Sequence, residues 1–214
     1  MSNNLKALNE LDKKMLKYLN FKDGCFIELG ANDGVNQSNT YFYEKELNWS
    51  GLLIEPTHKF NDLIKNRSKP NNFLENEACC SFENEGKEIE FSYCNLMTTC
   101  NDKNISDNCD PAAHVEGGKR FIPDEQVFNF TKKGVSLSSL LDKNKLPRTI
   151  DFFSLDTEGL ESEILKGIDF SKYFFKYILI ETPNFNKIDQ ILTHHNYKFV
   201  EQLSYHDFLF TNED

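Results

Sequence analysis

An apolar run that carries one acid and breaks into a glycine turn, Phe26-Ile-Glu-Leu-Gly-Ala-Asn-Asp-Gly34, most narrows what this chain can fold into. It is answered by Gly51-Leu-Leu-Ile-Glu-Pro56, a second apolar run that also stops at an acid. Two such runs separated by a helical stretch predict parallel strands joined by a crossover helix. Gly30 and Gly34 permit a tight turn and the close approach of a ligand to the backbone. Glu55, closing the second run, is placed where nucleotide-binding sheets use a carboxylate to accept hydrogen bonds from ribose hydroxyls.

The rest of the chain continues the alternation of strands and helices that marks a mostly parallel α/β sheet. Residues 4–19 read as an amphipathic helix with Leu5, Leu8, Leu11, Met15 and Leu19 on one face. A helix is expected over 38–47, and another from Thr57 to Arg67, capped by Thr57 and burying Phe60, Leu63 and Ile64. Phe73 to Phe82 and Glu88 to Tyr93 read as strands joined through Asn84-Glu-Gly. Residues 94–126 lose periodicity and are too long for an ordinary connection, which predicts an inserted lid or acceptor loop. Further on come a helix at 136–143, a strand at 150–155 and a helix at 159–166. They are followed by a strand at 177–181, a helix at 185–195, and an antiparallel hairpin from 197–202 and 206–211. With no repeat or linker in view, residues 1–214 read as a single domain.

In open α/β sheets ligands bind beyond the carboxyl ends of the strands. Those ends hold Glu28 and Gly30, then Glu55, then Glu77-Ala78, then Asp156-Thr-Glu158, then Glu181. Acids favour helix N-termini, which accounts for Glu158 and can extend to Asp156, but accounts poorly for Glu55 before Pro56, or for Glu181 closing four apolar residues. Such walls suit a ligand with cationic groups. Dinucleotide folds space their glycines G-x-G-x-x-G, whereas here only the first and fifth residues of the turn are Gly. The departure favours S-adenosylmethionine, with its sulfonium and ammonium, over NAD. Asp156, Glu158 and Glu181 are candidates for a general base, their mutual crowding raising the proton affinity of each. Asp156 and Glu181 are equally the positions that would hold Mg²⁺, which lowers the pKa of a coordinated hydroxyl. His114, inside the aperiodic stretch, is the other candidate base, or else a surface-loop histidine. His58, His194, His195 and His206 read as structural or solvated. Cys94, Cys100, Cys109 and His114 have spacings that match no paired zinc-ligand arrangement.

Composition limits the partners. A net charge of −10, with no cluster of Lys and Arg, excludes a phosphate-tracking surface, so nucleic acid is not expected. No stretch reaches the roughly 18 apolar residues of a membrane span, and the N-terminus lacks a signal pattern. A cytoplasmic protein with reduced cysteines is therefore expected. The partner is a small-molecule or glycan acceptor. The oligomeric state is not legible.

Three segments resemble the FkbM family of S-adenosylmethionine-dependent methyltransferases: Phe26 to Thr40, Trp49 to Pro56, and Ile150 to Glu161. Their order and spacing also match, with Asn66-Arg67 after the second helix, Ala78 in the next strand and Asp207 in the C-terminal hairpin. The resemblance implies a Rossmann-like class I methyltransferase fold with a seven-stranded sheet. It implies that Glu28 and the turn of Gly30, Ala31, Asn32, Asp33 and Gly34 hold the methionine end and ribose of the cofactor. Glu55, with Pro56, takes the ribose diol, and Glu77 and Ala78 border the adenine. Asp156 sits between cofactor and acceptor. Asn39 and Thr40 match the family's Ser-Asn-Thr stretch, or serve only to start the helix. The implied activity is O-methylation of a sugar hydroxyl in a glycan or glycoconjugate precursor. Its rivals are an NAD-dependent oxidoreductase and a nucleoside-binding module without catalysis.

Overall fold

The computed structural model describes residues 3–108, 110–122 and 126–213. Its main sheet is built from β1 (Cys25–Leu29), β2 (Ser50–Ile54) and β3 (Phe73–Glu75), then, after an intervening segment, β8 (Thr149–Leu155), β9 (Phe174–Glu181), β10 (Lys198–Gln202) and β11 (Asp207–Thr211). The strand order is β10-β11-β9-β8-β1-β2-β3. Strands β3, β2, β1, β8 and β9 run parallel, while β11 is antiparallel to both β9 and β10. The chain winds outward from β1 in both directions, so β1 and β8 flank the switch point where such sheets open a ligand crevice.

Both faces of this sheet are covered, which is why its strands are apolar almost throughout. Ile27, Leu29, Leu52, Ile54, Phe153, Leu155, Ile178 and Ile180 face one core, closed by α5 (Leu137–Lys143), α6 (Glu161–Leu165) and α7 (Phe185–His194). Phe26, Leu53, Phe152, Leu179 and Leu209 face the other, under α1 (Leu11–Met15), α2 (Tyr41–Leu47) and α3 (Phe60–Arg67). Phe26 and Phe152 are fully buried there, each worth about 1.5–3 kcal/mol of apolar transfer. Glu28 shares the parity of Phe26 and therefore enters this second face as a carboxylate within a core.

A second sheet, ordered β4-β7-β5-β6, comes from the segment between β3 and β8: β4 (Ala78–Cys80), β5 (Glu88–Tyr93), β6 (Thr99–Cys100) and β7 (Phe128–Ser136). It carries the helix α4 (Pro111–Gly118).

Several elements depart from expectation. The helix expected over 4–19 is confined to α1 and a preceding single turn, because Asn9 and Glu10 adopt positive φ of 54° and 57°. Asp12 Oδ2 accepts from the N–H groups of Lys6 and Ala7, at 2.7 and 3.1 Å, and so folds the segment back on itself. Leu11, Met15 and Leu19 are buried as expected, but Leu8 is 47% exposed. Helix α3 begins at Phe60 instead of after Thr57. Its buried residues are Leu63 and Arg67, whereas Ile64 lies largely in solvent. The strand expected from Phe73 to Phe82 is cut into β3 and β4, which belong to different sheets. Asn76 breaks it, donating from Nδ2 to the carbonyls of Glu55 and Thr57 at 2.7 and 3.1 Å. Strand β7 was not expected. The stretch expected to be aperiodic holds α4 and β6; Cys109 and residues 123–125 within it lie outside the described residues. No described helix is long and apolar enough to cross a membrane.

Candidate active site

The sequence dictates a glycine at the mouth of β1. Gly30 has φ +84°, and a Cβ there would lie 1.7 Å from the Asp156 carbonyl oxygen. Its N–H and that of Ala31 both donate to the Ile54 carbonyl at 3.1 Å, pulling the turn across the end of β2. Asn32, at φ 46°, donates its N–H to Glu55 Oε2 at 2.8 Å. Glu55 Oε1 accepts from Thr57 N–H at 2.8 Å. Each oxygen of Glu55 thus spends one acceptor site on the backbone and keeps lone-pair capacity for a ligand. Burial raises its pKa, and the Thr57 hydroxyl, followed by these two N–H groups, opposes the rise.

Glu28 is used differently. Its carboxylate accepts from Ser38 Oγ at 2.9 Å, Asn39 N–H at 2.8 Å, Thr40 Oγ1 at 2.6 Å and Arg67 Nη1 at 3.4 Å. The Arg67 guanidinium, with no exposed surface, also donates to the Gly34 carbonyl at 2.7 Å and to Glu44 Oε2 at 2.6 Å. Glu28 and Arg67 therefore fasten the loop 34–40 onto β1 from behind. Gly34, Asp33 and Thr40 belong to this backing. A Cβ on Gly34 would meet Arg67 Cγ at 2.5 Å, and Asp33 Oδ1 accepts from the N–H groups of Val35 and Asn36. None of these three lines the cavity in front.

That cavity, about 710 Å³, lies across the carboxyl ends of β1, β2, β8 and β9. Its volume is in the range of small-molecule sites. One end is walled by Gly30, Ala31, Asn32, Glu55, Pro56, Glu77 and Ala78, with Phe91, Leu96 and Met97 as its apolar side. The other is walled by Asn39, Asp156, Glu158, Glu161, Glu181, His114 and His206, with Tyr205 at 91% exposure on the rim. The sequence-derived residues thus converge on one cavity, apart from the three that support it from behind.

The acidic end concentrates like charge. Ligand oxygens of Asp156, Glu158 and Glu181 all lie within 4.8 Å of one another, and Glu181, His206 and Asp207 form a second such set. Burial and the neighbouring carboxylates push Asp156 well above the usual carboxylate range and Glu181 up to about 8. Burial alone carries Glu161 to about 7, against hydrogen bonds from Thr157 and Gly159. Glu158 stands at φ 55°, a left-handed conformation costly for this residue, and it is held there through its carbonyl. That oxygen accepts from Thr99 Oγ1 and Asn108 Nδ2, both at 2.7 Å.

The segment between β6 and β7 supplies the remaining group. Asp110 caps α4 by accepting from Ala113 N–H, and the helix brings His114 Nε2 to 3.0 Å from Glu158 Oε2. Asp107 anchors the preceding loop, accepting from Ser162 N–H and Oγ and from Lys187 Nζ. Among the described residues, Asn39 Oδ1 and Glu161 Oε2 are buried in the cavity wall without a hydrogen-bond partner, and His114 Nε2 meets the Glu158 carboxylate. A buried polar atom left unmatched in a cavity wall is what a polar ligand would satisfy. The donor set fits S-adenosylmethionine: a carboxylate with spare acceptor capacity, a glycine turn, an apolar slot, and acids for cationic groups.

His206 does not fit the structural or solvated role expected of it, since it lines the cavity with Nε2 3.4 Å from Glu181 Oε1. Its place before Asp207, whose Cα pairs with Glu181 across β11 and β9, was the available signal. Glu161, Asn108 and Asn95 were missed as cavity residues; Glu161 lay in plain sight as the last residue of the third motif. Cys109 of the candidate zinc set lies outside the described residues, and Cys94 is a buried thiol.

Sheet order, crevice and acid placement define a Rossmann-like methyltransferase fold. Residues 28–199 match the family model of the methyltransferase FkbM domain, and the chain belongs to that family. Membership implies S-adenosylmethionine as methyl donor. Among solved structures, the precorrin-6y C5,15-methyltransferase from Geobacter metallireducens GS-15 is similar at a TM-score of 0.43 and 11% identity, over 99% of this chain and 92% of that one. No curated protein matches the sequence.

Substituting Glu55 by Ala is expected to weaken S-adenosylhomocysteine binding by about tenfold or more, because it removes the charged acceptor at the ribose end. Titration calorimetry measures this, and unchanged affinity would remove Glu55 from the cofactor wall.

Proposed function

We propose that this chain transfers a methyl group from S-adenosylmethionine to a hydroxyl of an uncharged sugar in a glycan or glycoconjugate precursor. The observation that carries the reading is the two-ended cavity, with a nucleoside-type wall at Glu55 and an acid–imidazole group at Glu158 and His114. Bound in it, S-adenosylmethionine supplies an activated methyl on a sulfonium. Glu55 holds the ribose hydroxyls, and Glu77, Ala78 and the Phe91–Met97 side enclose the base. Asp156 lies against Gly30, between the two ends.

The chain must then align the acceptor hydroxyl and receive its proton. His114 Nε2 is the receiving atom in this reading. It stands 3.0 Å from Glu158 Oε2, and that carboxylate stabilises the imidazolium formed there. Asn39 Oδ1 and Glu161 Oε2 are available to accept from further sugar hydroxyls.

An uncharged acceptor is favoured by what the wall lacks. No Lys or Arg is among the described residues lining the cavity, and none of the residues left undescribed is Lys or Arg. A phosphate or carboxylate on the acceptor would face Asp156, Glu158 and Glu181 with no Lys or Arg beside it. The test is methyl transfer from labelled S-adenosylmethionine to pairs of sugars with and without a phosphate. Label is expected on the unphosphorylated member. Label confined to the phosphorylated members, or none on any sugar of a broad panel, would contradict the reading.

A further inference from the structure

We propose that Asp156, Glu158 and Glu181 bind a divalent cation, Mg²⁺ or Mn²⁺, between the carboxyl ends of β8 and β9. The geometry comes first. One oxygen from each of the three carboxylates lies within 4.8 Å of the others, so that small side-chain shifts would let a single ion touch all three. The strands fix this spacing: Asp156 follows Leu155 at the end of β8, Glu181 closes β9, and the two strands are paired in parallel through Leu155 and Ile180. Glu158 is turned back toward them by its left-handed backbone, which Thr99 and Asn108 hold.

A second observation points the same way. Glu161 is 1% exposed, lines the same cavity, and acts electrostatically on both Asp156 and Glu181. Its Oε1 accepts from Thr157 N–H, Thr157 Oγ1 and Gly159 N–H, while its Oε2 has no partner. Glu161 Oε2 is thus a buried carboxylate oxygen without a donor among the described residues, in the wall of the cavity that the three carboxylates share, and a cation bound there would offset the concentrated negative charge. Among the described residues no Lys or Arg lines the cavity, and its two imidazoles, His114 and His206, stand beside Glu158 and Glu181.

The ligand type selects the ion. An all-carboxylate set is hard and oxygen-only, which suits Mg²⁺ and Mn²⁺ over zinc or copper. Mg²⁺ keeps several waters and takes only a few carboxylates, which leaves coordination positions for an acceptor hydroxyl in the same cavity. His114 then stands behind a ligand through its contact with Glu158, as imidazoles and carboxylates commonly do around metals. A coordinated hydroxyl becomes more acidic, so the ion's use in catalysis rests on the function proposed above, whereas its binding does not.

The full chain, freed of metal by EDTA and desalted, is titrated with Mn²⁺ alone and the free ion followed by electron paramagnetic resonance. Saturable binding of one ion per chain is expected, displaced by Mg²⁺. Asp156→Asn and Glu181→Gln should each weaken it by about tenfold or more. Glu158→Gln gives a third variant if either fails to fold by circular dichroism, and the exposed Glu116→Gln should bind as the parent does. No binding at millimolar Mn²⁺, or binding untouched by the folded cluster variants, overturns the site. S-adenosylhomocysteine affinity is measured on the same samples. Its retention without Mn²⁺ binding would defeat the cation alone; its absence beside tight Mn²⁺ binding would defeat the methyltransferase reading and leave the cation standing.

Discussion

Glu181→Gln and His114→Gln are each expected to lower turnover by roughly 100-fold or more while S-adenosylhomocysteine affinity stays nearly unchanged. Both residues stand in the acidic part of the cavity, which the proposed function assigns to the acceptor. Glu181 closes β9 and shares its space with Asp156 and Glu158. The amide keeps its shape but can neither take up a proton nor present a carboxylate oxygen to a cation. His114 Nε2 faces Glu158 Oε2 at 3.0 Å, and Gln in its place cannot take up a proton. Loss concentrated in turnover identifies groups that act on the acceptor, whereas loss of cofactor affinity would place them at the other end. Single-turnover kinetics beside calorimetry separate the two. Normal turnover in both variants would show that the proton leaves by another route.

Arg67→Met is expected to cost about 3–5 kcal/mol of folding stability, the range for breaking a buried ion pair from one side. Arg67 has no exposed surface and donates to Glu44, Glu28, Gly34, Ser38 and Thr40. Without it Glu44 still has Lys45 Nζ at 2.8 Å, whereas no other Lys or Arg pairs with Glu28 among the described residues. The loop 34–40 also loses its tie to β1, so cofactor affinity should fall with stability. Urea unfolding measures the first effect and calorimetry the second. A loss under about 1 kcal/mol would mean that the loop is held by its other hydrogen bonds.

The difference between these residues also marks what the sequence can disclose. Glu55, Asp156 and Glu181 were legible because each ends an apolar run, and strand ends are where this architecture places its ligands. The sheet was legible for the same reason: strands buried on both faces read as continuous apolar stretches. Arg67 was not. Apolar periodicity assigned Ile64 to the buried face of α3, but Ile64 is 41% exposed while Arg67 is fully buried. A charged residue buried through a network with Glu28 and Glu44, both far away in the chain, leaves no local pattern.

Helix α4 was hidden by a related effect. Pro111-Ala-Ala-His-Val-Glu-Gly-Gly118 has little amphipathic rhythm, and the helix relies on the Asp110 cap and its packing against Met97 and Cys94. The alternation of Phe128 and Phe130 in β7 is interrupted by Lys132-Lys133-Gly134. Lys132 Nζ donates to the Asn76 carbonyl and side chain, a contact outside any strand rule. The N-terminal helix failed in the opposite direction. Its apolar spacing was sound from Leu11 to Leu19, but the carboxylate of Asp12 gave the preceding backbone N–H groups a better partner than the helix did.

The central claim is that the cavity across β1, β2 and β8 holds the nucleoside and methionine parts of S-adenosylmethionine. Calorimetric titration of the unmodified chain with S-adenosylhomocysteine, beside NAD⁺ as a matched control, tests it most directly. Saturable binding of one S-adenosylhomocysteine per chain, with no heat from NAD⁺, is the predicted result. Absence of S-adenosylhomocysteine binding, or preferential binding of NAD⁺, would contradict it.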